Sequence, residues 1–168
     1  GPDCVLQPLY GAMPFADQQA AIAPLPRGRK VVLATSIAET SLTIEDIRVV
    51  VDGGKARRSR FDPSSGMARL ITEPASQAEV TQRAGRAGRV APGQCYRLWT
   101  SGEAGARPIH APPEIERTDL AGLALEIALW GAEPDKMPFL TPPHAGAFAA
   151  ARRLLALLSA VRPQGQIT

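Results

Sequence analysis

The sequence predicts an α/β fold built on a parallel sheet, with a β-hairpin insert, followed by a small helical piece. Three observations carry that prediction. Residues 31–35 (VVLAT) form a short apolar, β-branched run that gives way to Ser36-Ile37-Ala38-Glu39-Thr40, a capping-box-like helix opening. Residues 47–51 (IRVVV) form a second apolar run stopped by Asp52-Gly53-Gly54, as suits a strand buried on both faces of a parallel sheet. Beyond residue 113 the pattern changes to alanine- and leucine-rich helical spacing.

The other elements follow in chain order. A strand is expected at Leu6-Gln7-Pro8-Leu9-Tyr10, near the start of the chain. Residues 56–72 alternate basic, apolar and turn residues around Asp62-Pro63-Ser64-Ser65-Gly66, the pattern of a hairpin with a loop at its tip. Residues 76–87 lack proline and contain good helix formers, and residues 95–99 (CYRLW) after Pro92-Gly93 read as one more strand. Residues 101–113, rich in Gly, Ala and Pro, read as a linker. Residues 115–130 place Leu120, Leu123, Ala124, Ile127 and Trp130 at helical spacing and stop at Gly131. Residues 142–161 offer a second helix that ends before Pro163. The predicted division is therefore 1–104 and 105–168.

At 168 residues and 45% hydrophobic, the chain can bury one substantial core, or one core plus a smaller appendage, and wholesale disorder is excluded. A formal net charge of +3 is too small to establish a polyanionic partner, so placement decides. Lys55, Arg57, Arg58 and Arg60 crowd six positions, and Arg83, Arg86 and Arg89 recur every third residue. Cys4 and Cys95 suggest neither a disulfide framework nor a zinc site, which fits a reducing, cytoplasmic setting, and no metal ligands are expected. No apolar run approaches the roughly 18 to 20 residues that span a bilayer, so no membrane partner is expected.

The most specific signal is Gln82-Arg83-Ala84-Gly85-Arg86-Ala87-Gly88-Arg89. On a helix, spacing of three brings guanidinium groups near one face, and small neighbours let a phosphate approach closely. A solvated basic helix is the plainer reading. It gives no reason for two glycines, each costing about 1 kcal/mol relative to alanine inside a helix.

Taken with Ala34-Thr35-Ser36-Ile37-Ala38-Glu39-Thr40-Ser41-Leu42-Thr43-Ile44, the octet resembles motifs VI and V of superfamily 2 helicases, specifically the DEAH/RHA branch. Leu9-Tyr10-Gly11, Phe61-Asp62-Pro63, Cys95-Tyr96-Arg97-Leu98 and the helix from Leu120 to Gly131 resemble the same branch, and within it the chain looks most like the bacterial HrpB-type helicases. The resemblance covers nearly the whole chain. It implies a second RecA-like (P-loop NTPase-like) domain lacking its first strand over 1–104, and a linker with an incomplete winged-helix domain over 105–168.

By position, the resemblance implies that Arg86 and Arg89 are arginine fingers, which stabilise charge on a transferred phosphoryl group, and that Gln82 helps orient the attacking water. Arg83 is expected to pair with a carboxylate instead, and Glu39 to cap or brace. Hydroxyls and backbone N–H groups at a strand-to-helix turn suit phosphate oxygens. The resemblance turns Thr35, Ser36 and Thr40 toward the nucleic-acid backbone, and Ser41, Thr43 and Glu45 toward the nucleotide. Ser36 stands where the family usually has asparagine, which shortens an amide contact to a hydroxyl. The stretch from Lys55 to Arg60, with Arg57 and Arg58, resembles a segment that touches nucleic acid; a ribbon edge protected by charge is the alternative.

The 168 residues contain no Gly-x-x-x-x-Gly-Lys-Ser/Thr loop and no Asp-Glu-x-His. ATP with Mg²⁺ is therefore expected to be held mainly by a first RecA-like domain of the same parent chain, and this chain alone is expected to be inactive. The function the resemblance implies is the C-terminal domain of an ATP-dependent RNA helicase acting on single-stranded RNA. Two alternatives stay open: a non-enzymatic nucleic-acid-binding module, and a DNA helicase, because backbone contacts do not report the sugar.

Overall fold

The computed structural model describes residues 3–39, 43–162 and 166–168. The chain divides into two compact units, Gly1–Ala56 with Thr72–Ala111, and Arg57–Ile71 with Pro112–Thr168.

The first unit opens with β1 (Cys4–Leu9), α1 (Phe15–Ile22) and β2 (Arg29–Ala34). β1 and β2 pair in parallel, from Cys4 opposite Arg29 to Leu9 opposite Ala34, with α1 as the crossover that parallel neighbours require. The sequence reading had no helix over 15–22. Its start is marked by Pro14, whose carbonyl accepts from Asp17 and Gln18 N–H at 3.0 and 3.1 Å, and by an acidic residue in the first turn. Its end is closed from a distance: Lys30 Nζ on β2 donates to the carbonyls of Ala21, Ile22 and Ala23 at 3.1, 3.3 and 2.6 Å.

β3 (Val49–Asp52) pairs in parallel with β6 (Gln94–Arg97). The α/β class with parallel pairing is as predicted, although the described strands form two parallel pairs and not one continuous ladder. Burial on both faces, expected for the 47–51 run, is not found: Val49 and Val51 are exposed while Val50 is half-buried. β3 has a helix against it in α2 (Gln77–Ala87), and Val49 and Val51 alternate away from Val50 along the pleat.

α2 begins at a full capping box, Ser76 with Glu79, and its first free N–H groups, on Gln77 and Ala78, donate to the carbonyls of Pro108 and Ile109 at 2.8 and 3.0 Å. The beginning of the expected linker is thus ordered. It holds α3 (Ser101–Gly105), opened by a second capping box of Thr100 and Glu103. Where α2 stops, Gly93 lets the chain turn tightly: a Cβ there would lie 2.0 Å from the Ala87 carbonyl oxygen and 2.6 Å from that of Arg48.

β4 (Lys55–Asp62) and β5 (Met67–Pro74) form the expected hairpin. At its tip Asp62 Oδ1 accepts from the N–H and hydroxyl of Ser64 at 3.0 and 2.6 Å, and Gly66 N–H donates to the Asp62 carbonyl at 2.9 Å.

In the second unit, α4 (Ala121–Trp130) and α5 (Ala145–Leu157) pack their apolar faces together. α4 starts six residues later than the periodicity suggested, because Asp119 Oδ1 takes the Ala121 N–H at 3.0 Å and sets the entry there. It ends at Gly131 in the left-handed conformation, φ 64°, as predicted from the glycine.

Candidate nucleotide and nucleic-acid site

The turn after β2 is where the sequence placed a helix opening. The structure has one turn of 3-10 helix there, Ser36–Ala38, and the Ser36–Glu39 capping box does not form. The Glu39 carboxylate is drawn elsewhere, to Arg83 on α2. Arg83 Nε and Nη2 both reach Glu39 Oε1, at 2.7 and 2.6 Å, while Nη1 reaches Asp52 Oδ1 at 2.9 Å and the Lys55 carbonyl at 3.1 Å. Every guanidinium nitrogen is used, which meets the expectation of a structural pairing for Arg83. Burial opposes its charge, yet the hydrogen bonds and charges of Asp52 and Glu39 outweigh burial and raise its pKa above the ordinary arginine value.

Asp52 was read only as the stop to a strand. It is buried at the end of β3, and its Oδ1 also accepts the Gly54 N–H at 2.8 Å. Behind it, Arg107 is buried, stacks on the Trp99 ring at 4.3 Å, and donates through Nη1 to the carbonyls of Gly54 and Ala75, both at 2.8 Å. Gly54 stands at φ +65°, where a Cβ would meet Arg107 Nη2 at 2.3 Å and Trp99 at 2.6 Å. The signal available in the sequence was an acid closing an apolar run, since a carboxylate there needs a partner.

Arg86 lies one turn beyond Arg83, and its Nη2 donates to the Glu39 carbonyl. Burial first, and the neighbouring charge of Arg89 second, press its pKa below the ordinary arginine value. α2 ends at Ala87, with Gly88 as its C-cap, so Arg89 follows the helix and is not on it; Arg89 and Gln82 are exposed. The even three-residue stripe expected on one helix therefore covers Arg83 and Arg86 alone. A Cβ at Gly85 or Gly88 would meet nothing within 4 Å among the described residues, so none of them requires either glycine by packing.

Thr35 and Ser36 are exposed at the 3-10 turn, and the Thr35 hydroxyl makes no capping hydrogen bond. Thr43 and Glu45 are exposed, and Glu45 is near enough to Lys30 to act on its charge. Thr40 and Ser41 lie outside the described residues. Arg57 and Arg58 are adjacent on β4, so they project to opposite faces of the ribbon, Arg57 exposed and Arg58 half-buried. Among the described residues no three His, Cys, Asp or Glu are grouped as metal ligands, and Asp52 is already committed to Arg83 and Gly54. No helix among them is long and apolar enough to cross a membrane.

Residues 4–91 match the family described as helicase conserved C-terminal domain. The chain belongs to that family. The helicase C-terminal domain is 51% identical over 163 residues to the ATP-dependent RNA helicase HrpB of Escherichia coli, covering 96% of this chain and 20% of that protein. It is 44% identical over 170 residues to a pre-mRNA-splicing factor ATP-dependent RNA helicase of Schizosaccharomyces pombe, covering 99% of this chain and 15% of that protein. Two crystal structures of E. coli HrpB, one described as a DEAH/RHA helicase and one as a DExH-box NTPase, superpose with TM-scores of 0.94 and 0.90. They are 48% and 49% identical, and the match covers 100% of this chain with 22% and 21% of theirs. The helicase C-terminal domain thus shares the RecA-like α/β architecture of the DEAH/RHA-type superfamily 2 helicases, and spans about a fifth of the length of the bacterial relative.

Proposed function

We propose that this chain is the second RecA-like domain, with the beginning of a winged-helix domain, of an ATP-dependent RNA helicase. In this reading Arg86 and Arg89 act on a triphosphate held by the first RecA-like domain of the same parent, with Gln82 orienting the attacking water. The observation that carries it is the position of Arg86, on the helix face that meets the turn after β2, with an exposed Arg89 close enough to repel it. Two guanidinium groups held near each other favour an anion between them. That no described residue comes within 4 Å of a Cβ at Gly85 or Gly88 supports close approach from outside the unit.

The same reading assigns Thr35, Ser36 and Thr40 to the RNA backbone, and Ser41, Thr43 and Glu45 to the nucleotide. Of Arg57 and Arg58, the exposed Arg57 is the stronger phosphate contact. Mg²⁺ would be held with ATP by the other domain, where it would supply charge neutralisation on the phosphates. This chain's residues orient and stabilise; they provide no phosphate cradle of their own. The two free thiols fit a reducing, cytoplasmic setting.

The test compares the pure chain with its full-length parent. The parent is expected to hydrolyse ATP faster when single-stranded RNA is added, with a steep loss of RNA binding as salt rises, while the pure chain shows no turnover above background. Stimulation by DNA alone would move the assignment to a DNA helicase. RNA binding without any ATPase activity in the parent would leave a binding module.

A further inference from the structure

We propose that Arg107 is a positioning residue that holds the foot of the β4–β5 hairpin to the start of α2, so that RNA bound at the hairpin acts on the arginine-bearing helix. This rests on reading the hairpin as an RNA contact and α2 as the helix that faces ATP. Arg107 is buried, with its guanidinium 4.3 Å from the centre of the Trp99 ring. Its Nη1 donates to the carbonyls of Gly54, just before β4, and Ala75, just after β5, both at 2.8 Å. The Ala75 N–H donates to the same Gly54 carbonyl at 3.0 Å, so one side chain closes both strands of the hairpin at their foot.

The backbone that carries this side chain holds α2. The Arg107 carbonyl accepts from Gln77 Nε2 at 3.1 Å, and the carbonyls of Pro108 and Ile109 accept the N–H groups of Gln77 and Ala78 at 2.8 and 3.0 Å. A second fastening lies further along the helix, where Arg83 Nη1 donates at 3.1 Å to the carbonyl of Lys55, the first residue of β4. One fastening fixes where a helix sits; two fix its direction as well. From Gln77 to Arg86 the helix rises roughly 13 Å, so a tilt of about 5° at its start moves the arginine end by about 1 Å. A misplacement of that size can cost on the order of 100-fold in rate. A seat used for packing alone would suit an apolar side chain. Arg107 instead keeps a charge out of water, with its buried Nε lacking a hydrogen-bond partner among the described residues, and the two carbonyls at the hairpin foot are what that charge serves.

The experiment uses the full-length parent at saturating ATP and reads the ratio of kcat with saturating single-stranded RNA to kcat without RNA. Loss of folded enzyme lowers both rates together and leaves their ratio alone. Arg107→Met keeps an unbranched side chain against Trp99 but removes the donors, and should lower the ratio at least fivefold. Gln77→Ala, at an exposed position where alanine suits a helix, removes only the bond to the Arg107 carbonyl and should lower the ratio at least twofold. The inference is overturned if folded Arg107→Met keeps the wild-type ratio or, where thermal melts show that variant unfolded, if Gln77→Ala keeps it. A wild-type parent that RNA does not stimulate would instead sink the helicase reading itself.

Discussion

Around Arg83 the chain is fixed by direction, with four polar contacts between 2.6 and 3.1 Å from one guanidinium to Glu39, Asp52 and Lys55, and Asp52 tied in turn to Gly54. Between α4 and α5 it is fixed by volume: Leu120, Ala124, Ile127, Phe148, Ala151, Leu155 and Val161 are buried against one another. The first arrangement tolerates little displacement, because each hydrogen bond depends on the angle as well as the distance between its partners. The second tolerates changes of shape that conserve volume, which is what a supporting module requires. Substitutions should therefore separate by readout, with those on the exposed arginine face of α2 altering turnover and those that displace packed atoms, at Gly54 or between α4 and α5, altering stability.

The largest effect on stability is expected from Phe148→Ala. It removes the largest side chain of that cluster and should cost about 3–5 kcal/mol in urea unfolding. A cost below about 1 kcal/mol would mean that α4 and α5 do not depend on packing. Gly54→Ala comes next, at about 2 kcal/mol or more, because the new methyl meets Arg107 and Trp99 and the left-handed backbone disfavours it. Equal stability there would break the claim that the polar network tolerates little displacement. The smallest change sharpens the contrast most. Gly85→Ala lies on an exposed helix face with nothing near its new methyl, so it should stabilise the chain by about 0.5–1 kcal/mol. In the full-length parent the same substitution should lower turnover about tenfold, since the methyl occupies the approach to Arg86. A stabilised variant with full turnover would show that this face is not an approach at all.

Much of this was legible in the sequence, for reasons that differ by element. β3, the hairpin and α2 were written in local patterns: an apolar run, turn chemistry around Asp62 to Gly66, and a proline-free stretch of good helix formers. α1 was missed because its C-terminal carbonyls are satisfied by Lys30, eight residues beyond its last residue, and no window of local sequence contains that contact. The Ser36 to Glu39 capping box was misread for a similar reason. Its spacing was right, but an arginine 44 positions away competes for the glutamate and wins with two N–H groups. In the site, the arginine cluster and the turn after β2 were visible as motifs. The division of labour among the arginines was visible only in part: Arg83 was expected to pair, but the helix ending before Arg89 and the seat of Arg86 on a backbone carbonyl required coordinates.

The central claim is that this domain stabilises charge on a triphosphate bound by another domain. Arg89→Ala in the full-length parent tests it most directly, measured by single-turnover hydrolysis beside equilibrium ATP binding. The account predicts a loss of about 10³-fold or more in the chemical step, with ATP affinity changed less than about threefold. Hydrolysis at the wild-type rate would contradict it.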